Sequence, residues 1–229
     1  MVKLSTIGWG LFWFFSMLSV VLAYRFVPDM LAALDPARET MGLGPALYQA
    51  ATIGIRDGFE HVFYHLPDRM GALFIHMLVG SVAMVIIPFQ LWTRFRMRNP
   101  GLHRWMGRVA LVAILFSGYA SIRLALNMEI PAWGATGFVV GAFVWIGSAL
   151  WATWHAMRGN ITAHRWWMVI VAAMTFGAVM IRLEFPIWRL FFPFEIAYAY
   201  VAWSSWVLNL VAVALWRARH RLLPRRAGT

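Results

Sequence analysis

The stretch that decides the fold is GALFIHMLVGSVAMVIIPFQLW, residues 71–92, which contains no Asp, Glu, Lys or Arg. Roughly 20 mostly apolar residues in an α-helix cross a bilayer core about 30 Å thick. Similar stretches recur at about residues 7–27, 105–126, 133–154, 166–183 and 196–216. The sequence therefore predicts an all-α fold, a polytopic transmembrane bundle of about six helices that forms one membrane domain over residues 1–229.

Composition supports a membrane protein and excludes several functions. Of the 229 residues, 62% are hydrophobic and only 13% are charged, a balance that a water-soluble globule of this size could not bury. The net charge of +11 lies between apolar runs rather than on one solvated face, so we expect anionic lipid headgroups as partners and no nucleic acid. The absence of Cys excludes disulfides, thiolate ligands and iron–sulfur clusters.

Charged residues separate into two groups when the six predicted helices alternate in direction. The loops and tail on one side, called here the basic end, hold Lys3, Arg94, Arg96, Arg98, Arg104, Arg108, Arg158, Arg165, Arg217, Arg219, Arg221, Arg225 and Arg226. The other side, called the acidic end, holds every carboxylate: Asp29, Asp35, Glu39, Asp57, Glu60, Asp68, Glu129, Glu184 and Glu195. Basic residues accumulate on the cytoplasmic side of membrane proteins. We therefore predict that both termini are cytoplasmic.

The one long connection, residues 28–69, is predicted to be a loop on the outer side. Its part from Pro45 to His65 has the composition of a short helix lying on the membrane surface. On such a helix Asp57, His61 and His65 would share a face suited to a divalent metal, or they would simply form its solvated polar face. Without an HExxH pattern the second interpretation is favoured.

Ionisable side chains within the predicted spans indicate a first candidate site near the acidic end. His76, Arg123 and Arg182 are expected at similar depth, because each lies one or two turns from that end of its helix. An imidazole beside guanidinium groups suits a quinone or an anionic ligand. Alternatively, the two arginines extend to the lipid headgroups or pair with Glu129 and Glu184.

A second candidate site is predicted near the basic end. His103 and His164 each stand near the beginning of a helix, and His155 stands near the end of another. Two neutral imidazoles at one depth can hold a haem b through its iron, with Arg104 and Arg165 paired to the propionates. Alternatively, these residues form interfacial His-Arg-Trp boxes whose arginines bind lipid phosphate. Which two of the three histidines would bind iron is left open.

The order of short motifs resembles a bacterial membrane family known as domain of unknown function 2306. The matching pieces are His76-Met-Leu-Val-Gly80, Pro88-Phe-Gln90, Leu102-His103-Arg104-Trp-Met-Gly107-Arg108, Ser117-Gly118, His164-Arg165-Trp-Trp-Met168 and Ile181-Arg182. They cover the four central helices. The resemblance implies a helical membrane fold in a bacterial cytoplasmic (inner) membrane, and it names no activity.

The four central helices also resemble, in architecture, cytochrome b561-type proteins, in which alternate helices supply histidines to haem. That resemblance implies one haem on His103 and His164, whereas only His76 is present near the opposite end. The leading hypothesis is therefore a membrane electron-transfer protein with a haem b near the cytoplasm and an outer pocket for a quinone. The alternative is a non-catalytic accessory or assembly subunit of a larger bacterial membrane complex.

Overall fold

The computed structural model describes residues 6–24 and 67–222, and every regular element in these two ranges is an α-helix. The helices are α1 Thr6–Tyr24, α2 Pro67–Leu91, α3 Thr93–Arg98, α4 Pro100–Leu126, α5 Ala132–Met157, α6 Ile161–Arg189 and α7 Phe194–Leu222. The predicted surface helix and the trio Asp57, His61 and His65 lie outside the described residues. The helical membrane bundle expected from the sequence is confirmed.

Five helices are long and apolar enough to cross a bilayer: α2 from Gly71 onward, α4, α5, α6, and α7 as far as Arg219. The helix α1 is a further apolar segment of 19 residues. The helices α4 and α6 begin about one turn earlier than the apolar pattern predicts, because polar first turns extend them past the apolar core. Pro100 occupies the first turn of α4, and the Asn160 side chain caps α6 by accepting a hydrogen bond from Ala163 N at 3.1 Å.

Four helices form the centre of the bundle. Close packing joins α2 to α4, α4 to α5, α5 to α6, and less extensively α6 to α2, so the four helices form a ring. Outside this ring, α7 packs on α5 and α6, and α1 packs on α2 and α6. Short connections make the successive helices α4 to α7 antiparallel. The order of contacts around the ring places α4 and α6 on a diagonal.

The half of the ring toward the basic end is tightly packed by small residues. Its core contains Ala83 of α2, Ala113 of α4, Ala149 and Ala152 of α5, and Ala172 of α6, packed with Ile87, Ile114 and Val171. Small side chains let helices approach closely in a membrane, where packing contacts replace the hydrophobic driving force. The half toward the acidic end is packed differently and leaves space between the helices.

Glycines on α5 allow α7 to pack closely against it. A Cβ atom at Gly137 would lie 2.7 Å from Nε1 of Trp203, far inside a normal contact. That indole N–H donates a hydrogen bond to the carbonyl of Trp133 at 2.8 Å. Glycine at position 137 therefore leaves the space in which the Trp203 ring packs against α5.

Candidate functional site

A cavity of about 370 Å³ lies in the half of the bundle toward the acidic end. Its volume falls in the range of small-molecule sites, about 300–1,000 Å³. Its wall is mainly apolar, with residues from α1, α2 and α4 to α7 that include Leu73, Met77, Leu124, Ile181 and Phe185. Polar groups enter this wall at a few positions, including His76, Ser121, Thr175, Arg182, Tyr198 and Ser205. This combination of apolar walls and a few convergent polar groups is typical of a ligand-binding site.

The cavity lies between two packed regions. At mid-bundle, the indole N–H of Trp145 donates to Thr175 Oγ1 at 3.0 Å, and that hydroxyl donates to the carbonyl of Val171 at 2.8 Å. The alanine-rich core lies between these hydrogen-bonded side chains and the basic end. Toward the acidic end, Leu73 and Phe185 line the cavity and also belong to a second apolar cluster. The polar groups therefore face a largely apolar volume between these two regions.

His76 is fixed in orientation by α4. Its Nδ1 lies 3.0 Å from the backbone carbonyl of Ser117 and 3.1 Å from Ser117 Oγ. The same hydroxyl donates to the carbonyl of His76 at 3.0 Å. A carbonyl oxygen can only accept, so Nδ1 carries the proton and Nε2 keeps a lone pair. Because His76 lines the cavity, Nε2 is the ring nitrogen available to a ligand.

Arg182 supplies the positive charge of the site. Its Nη1 donates to the carbonyl of Ala178, one turn earlier on α6, at 2.6 Å. The guanidinium lies within electrostatic range of His76 and of the Tyr198 hydroxyl. A guanidinium has five N–H donors, so one intrahelical bond leaves others for a bound oxygen. The structure thus brings His76 and Arg182 to one cavity, as the sequence predicts.

Arg123, the third residue predicted for this site, is not brought to the cavity. It is exposed, and its backbone carbonyl accepts a hydrogen bond from the side-chain amide of Asn127 at 2.7 Å. The positions of α4 that line the cavity are Ser117, Ser121 and Leu124, which share one helix face. Position 123 lies off that face. Depth alone, the basis of the prediction, does not specify direction around the helix.

The histidines near the basic end differ in their surroundings. His103 on α4 lies within electrostatic range of His164 on α6, across the diagonal of the ring. His164 Nδ1 donates to the carbonyl of Ala152 at 2.8 Å, which leaves Nε2 free in the manner of a metal-binding imidazole. His103 Nδ1 is buried without a hydrogen-bond partner among the described residues. His164 therefore has the second interaction expected of an iron ligand, and His103 does not.

The third histidine has different neighbours. The ring of His155 lies edge-on to Trp151 and Trp154, with centroids 5.5 and 4.9 Å away. Its Nδ1 is likewise buried without a partner in the described ranges. Arg104 and Arg165 are exposed at the basic end. The choice among the three histidines stays a prediction; His164 lies within electrostatic range of His103.

Two groups near these sites were missed by the sequence analysis. Arg96 on α3 is half-buried and lies in electrostatic range of Arg165 and His103, and burial followed by the Arg165 charge lowers the pKa of Arg96. The sequence feature that could have identified Arg96 is its position in the short segment between two long helices, α2 and α4. Ser117 was noted only as part of a motif, although Ser117, Ser121 and Leu124 repeat at helical spacing.

Comparison with known proteins gives one match. The family model described as "Predicted membrane protein (DUF2306)" matches residues 73–217, which include the five long spans except the beginning of the first and the end of the last. No curated protein and no solved structure matches the chain. The match covers more than half of the sequence and includes every residue discussed at the two candidate sites.

Proposed function

The chain belongs to the DUF2306 family of predicted membrane proteins, and we propose that it is a membrane redox protein that binds a quinone-type molecule inside its bundle. One observation carries this proposal. A cavity of about 370 Å³ with mainly apolar walls brings His76 and Arg182 together in the half of the bundle toward the acidic end. Ionisable groups within a membrane are costly, and they are retained mainly where they serve a ligand or a transported charge.

The chemistry of the wall suits a quinone. The ring of a quinone is flat and apolar, with one carbonyl oxygen at each of two opposite positions. A membrane quinone also carries an apolar tail that remains in lipid. Arg182 has N–H donors for an oxygen of the ring, and His76 Nε2 has a lone pair for a hydroxyl. The sulfur and aromatic groups of Met77, Met174 and Phe185 provide polarisable walls for the ring.

The electron carrier of the proposal is a haem b held by His103 and His164. Supporting it are the electrostatic range between the two histidines and the hydrogen bond from His164 Nδ1–H to the carbonyl of Ala152, which orients that ring. The helices that carry the two histidines, α4 and α6, lie diagonally across the ring. The haem would supply one-electron chemistry near the cytoplasmic side, and Arg104 and Arg165 would neutralise its propionates.

An absorption spectrum tests the haem. Protein expressed with haem available and purified in mild detergent should show a Soret band and, after reduction, an α band. His103→Ala and His164→Ala should remove both bands, and His155→Ala, placed against tryptophans instead, should retain them. A colourless, folded wild-type protein would refute the haem, and loss of the bands only in His155→Ala would reassign the ligand.

Direct binding tests the quinone. A short-tailed quinone should bind the purified protein and raise its melting temperature. His76→Ala and Arg182→Met should weaken binding about tenfold, the loss of one hydrogen bond to a charged or well-oriented group. Arg123→Met is the matched control, since it removes a nearby exposed arginine that does not line the cavity. Equal weakening by all three variants, or no binding to the wild type, would refute the proposal.

An accessory subunit remains the alternative function. It predicts that the protein co-purifies from native membranes, in a bacterial inner membrane, with a larger respiratory, photosynthetic or transport complex. Isolation as a separate protein that carries haem and binds quinone would decide against it. Isolation with a complex, without haem and without quinone binding, would decide for it.

A further inference from the structure

We propose that Ser117 and Gly80 lock His76 as a hydrogen-bond acceptor, so that the cavity prefers the reduced hydroxyl form of its ligand, the quinol. The inference rests on the proposed quinone site and concerns its selectivity. It is carried by the pair of contacts that join α2 to α4 at His76 and by the glycine one turn further along α2.

The first contact fixes the tautomer. The carbonyl of Ser117 accepts from His76 Nδ1 at 3.0 Å, and no rotation of the serine side chain can replace that backbone group. Ser117 Oγ lies 3.1 Å from Nδ1 and donates its own hydrogen bond to the carbonyl of His76 at 3.0 Å. Both oxygens therefore act as acceptors toward Nδ1, and the ring proton stays on that nitrogen. In this tautomer Nε2 can accept a hydrogen bond from the ligand, but it carries no proton with which to donate one.

The second contact explains why α2 has no side chain at position 80. A Cβ atom on Gly80 would lie 2.7 Å from Ser117 Oγ. Ser117 is fully buried, at 0% exposure, so its hydroxyl has little room to move aside. Gly80 therefore permits the close approach of α2 and α4 that keeps the Ser117 carbonyl within reach of His76.

The chemical consequence is a distinction between two redox forms of one ligand. A quinol presents hydroxyl groups, one of which can donate to His76 Nε2, whereas an oxidised quinone presents only carbonyl acceptors. Arg182 can donate to an oxygen of either form. The quinol gains one hydrogen bond that the quinone cannot make, so we expect it to bind about two- to tenfold more tightly.

The tautomer is measured without any ligand. In protein labelled with ¹⁵N-histidine, assigned by comparison with His76→Asn, the His76 signals should show a protonated Nδ1 and an unprotonated Nε2. In Gly80→Ala the fully buried Ser117 hydroxyl has little room to rotate away, so the two helices must separate. The bond from His76 Nδ1 to the Ser117 carbonyl is then lost, and the signal should become a mixture of tautomers. The double variant Gly80→Ala with Ser117→Ala removes the clashing hydroxyl and should recover the wild-type tautomer. Gly147→Ala, where a Cβ meets nothing within 4 Å, is the control and should change nothing.

Selectivity is measured by titrating the same short-tailed quinone in its oxidised and reduced forms. Wild-type protein should favour the quinol, and Gly80→Ala should lose most of the preference while the double variant regains it. Equal binding of both forms, or an Nε2–H tautomer in the wild type, would overturn this inference while leaving the quinone site intact. No binding of either form, with the expected tautomer observed, would overturn the proposed function instead.

Discussion

The contrast between an open cavity and a packed core can be measured with one substitution made at two positions of α5. Ala142 and Ala149 are equally buried, at 5% and 4% exposure, and they share a helix face because about seven residues make two turns. Ala142 lines the cavity, whereas Ala149 lies in the alanine-rich core. We expect leucine at these two positions to affect the free energy of unfolding with opposite sign.

The magnitudes follow from what three additional carbon atoms meet. In Ala142→Leu they enter empty volume and gain packing contacts, so the unfolding free energy should rise by at most about 2 kcal/mol. In Ala149→Leu they enter a filled core, and overpacking costs about 1–3 kcal/mol. For a chain of this size 1 kcal/mol corresponds to roughly 2–4 °C, so Ala149→Leu should melt about 2–12 °C lower.

The assay is thermal unfolding of both variants in the same detergent, with and without a short-tailed quinone. Ala142→Leu should melt at or above the wild-type temperature and should respond less to the quinone, because the leucine occupies the ligand's space. Ala149→Leu should melt lower and keep the full quinone response. An equal fall in melting temperature for both variants would refute the cavity as a feature of the folded protein.

Three further predictions concern packing and topology. Thr175→Val leaves the Trp145 indole N–H without its acceptor and should lower the free energy of unfolding by roughly 0.5–2 kcal/mol. Adding Trp145→Phe should recover part of this loss, and strictly additive effects of the two substitutions would contradict the 3.0 Å bond. Gly137→Ala should destabilise the protein through the clash with Trp203, whereas Gly147→Ala, in open space, should be neutral or stabilising by up to about 1 kcal/mol. The same unfolding assay compares the two variants, and equal effects would contradict the close packing of α7 on α5. Fusions of a fluorescent reporter to either terminus should fluoresce in the cytoplasm, and a dark C-terminal fusion that is well expressed would contradict the charge-based orientation.

The helices were predictable because lipid imposes one simple requirement, a long apolar run for each crossing. Their ends were less predictable. The sequence places the fifth helix at about residues 166–183, whereas α6 extends over Ile161–Arg189. Polar first turns such as Asn160 to His164 continue the helix into the headgroup region, where an apolar count no longer marks its limits. The short α3 was missed for the same reason, since Thr93–Arg98 is largely basic.

The candidate site was only partly predictable. His76 and Arg182 were recognisable because a charged or titratable group inside a span is rare and costly. Arg123 met the same criterion, yet it points away from the cavity, because rotation about the helix axis depends on which face packs. Ser117 carries no charge and gave no comparable signal, although it fixes the ring of His76.

The sequence by itself determined a helical membrane bundle, its approximate spans and the separation of acidic from basic ends. These properties depend on local composition, which sets whether a segment prefers lipid or water. Only the tertiary structure decided that α4 and α6 lie on a diagonal, that alanines fill one half of the ring, and that the other half contains a cavity with His76 held against Ser117. Those features depend on how side chains of different helices fit together, and such fit is not encoded in any one segment.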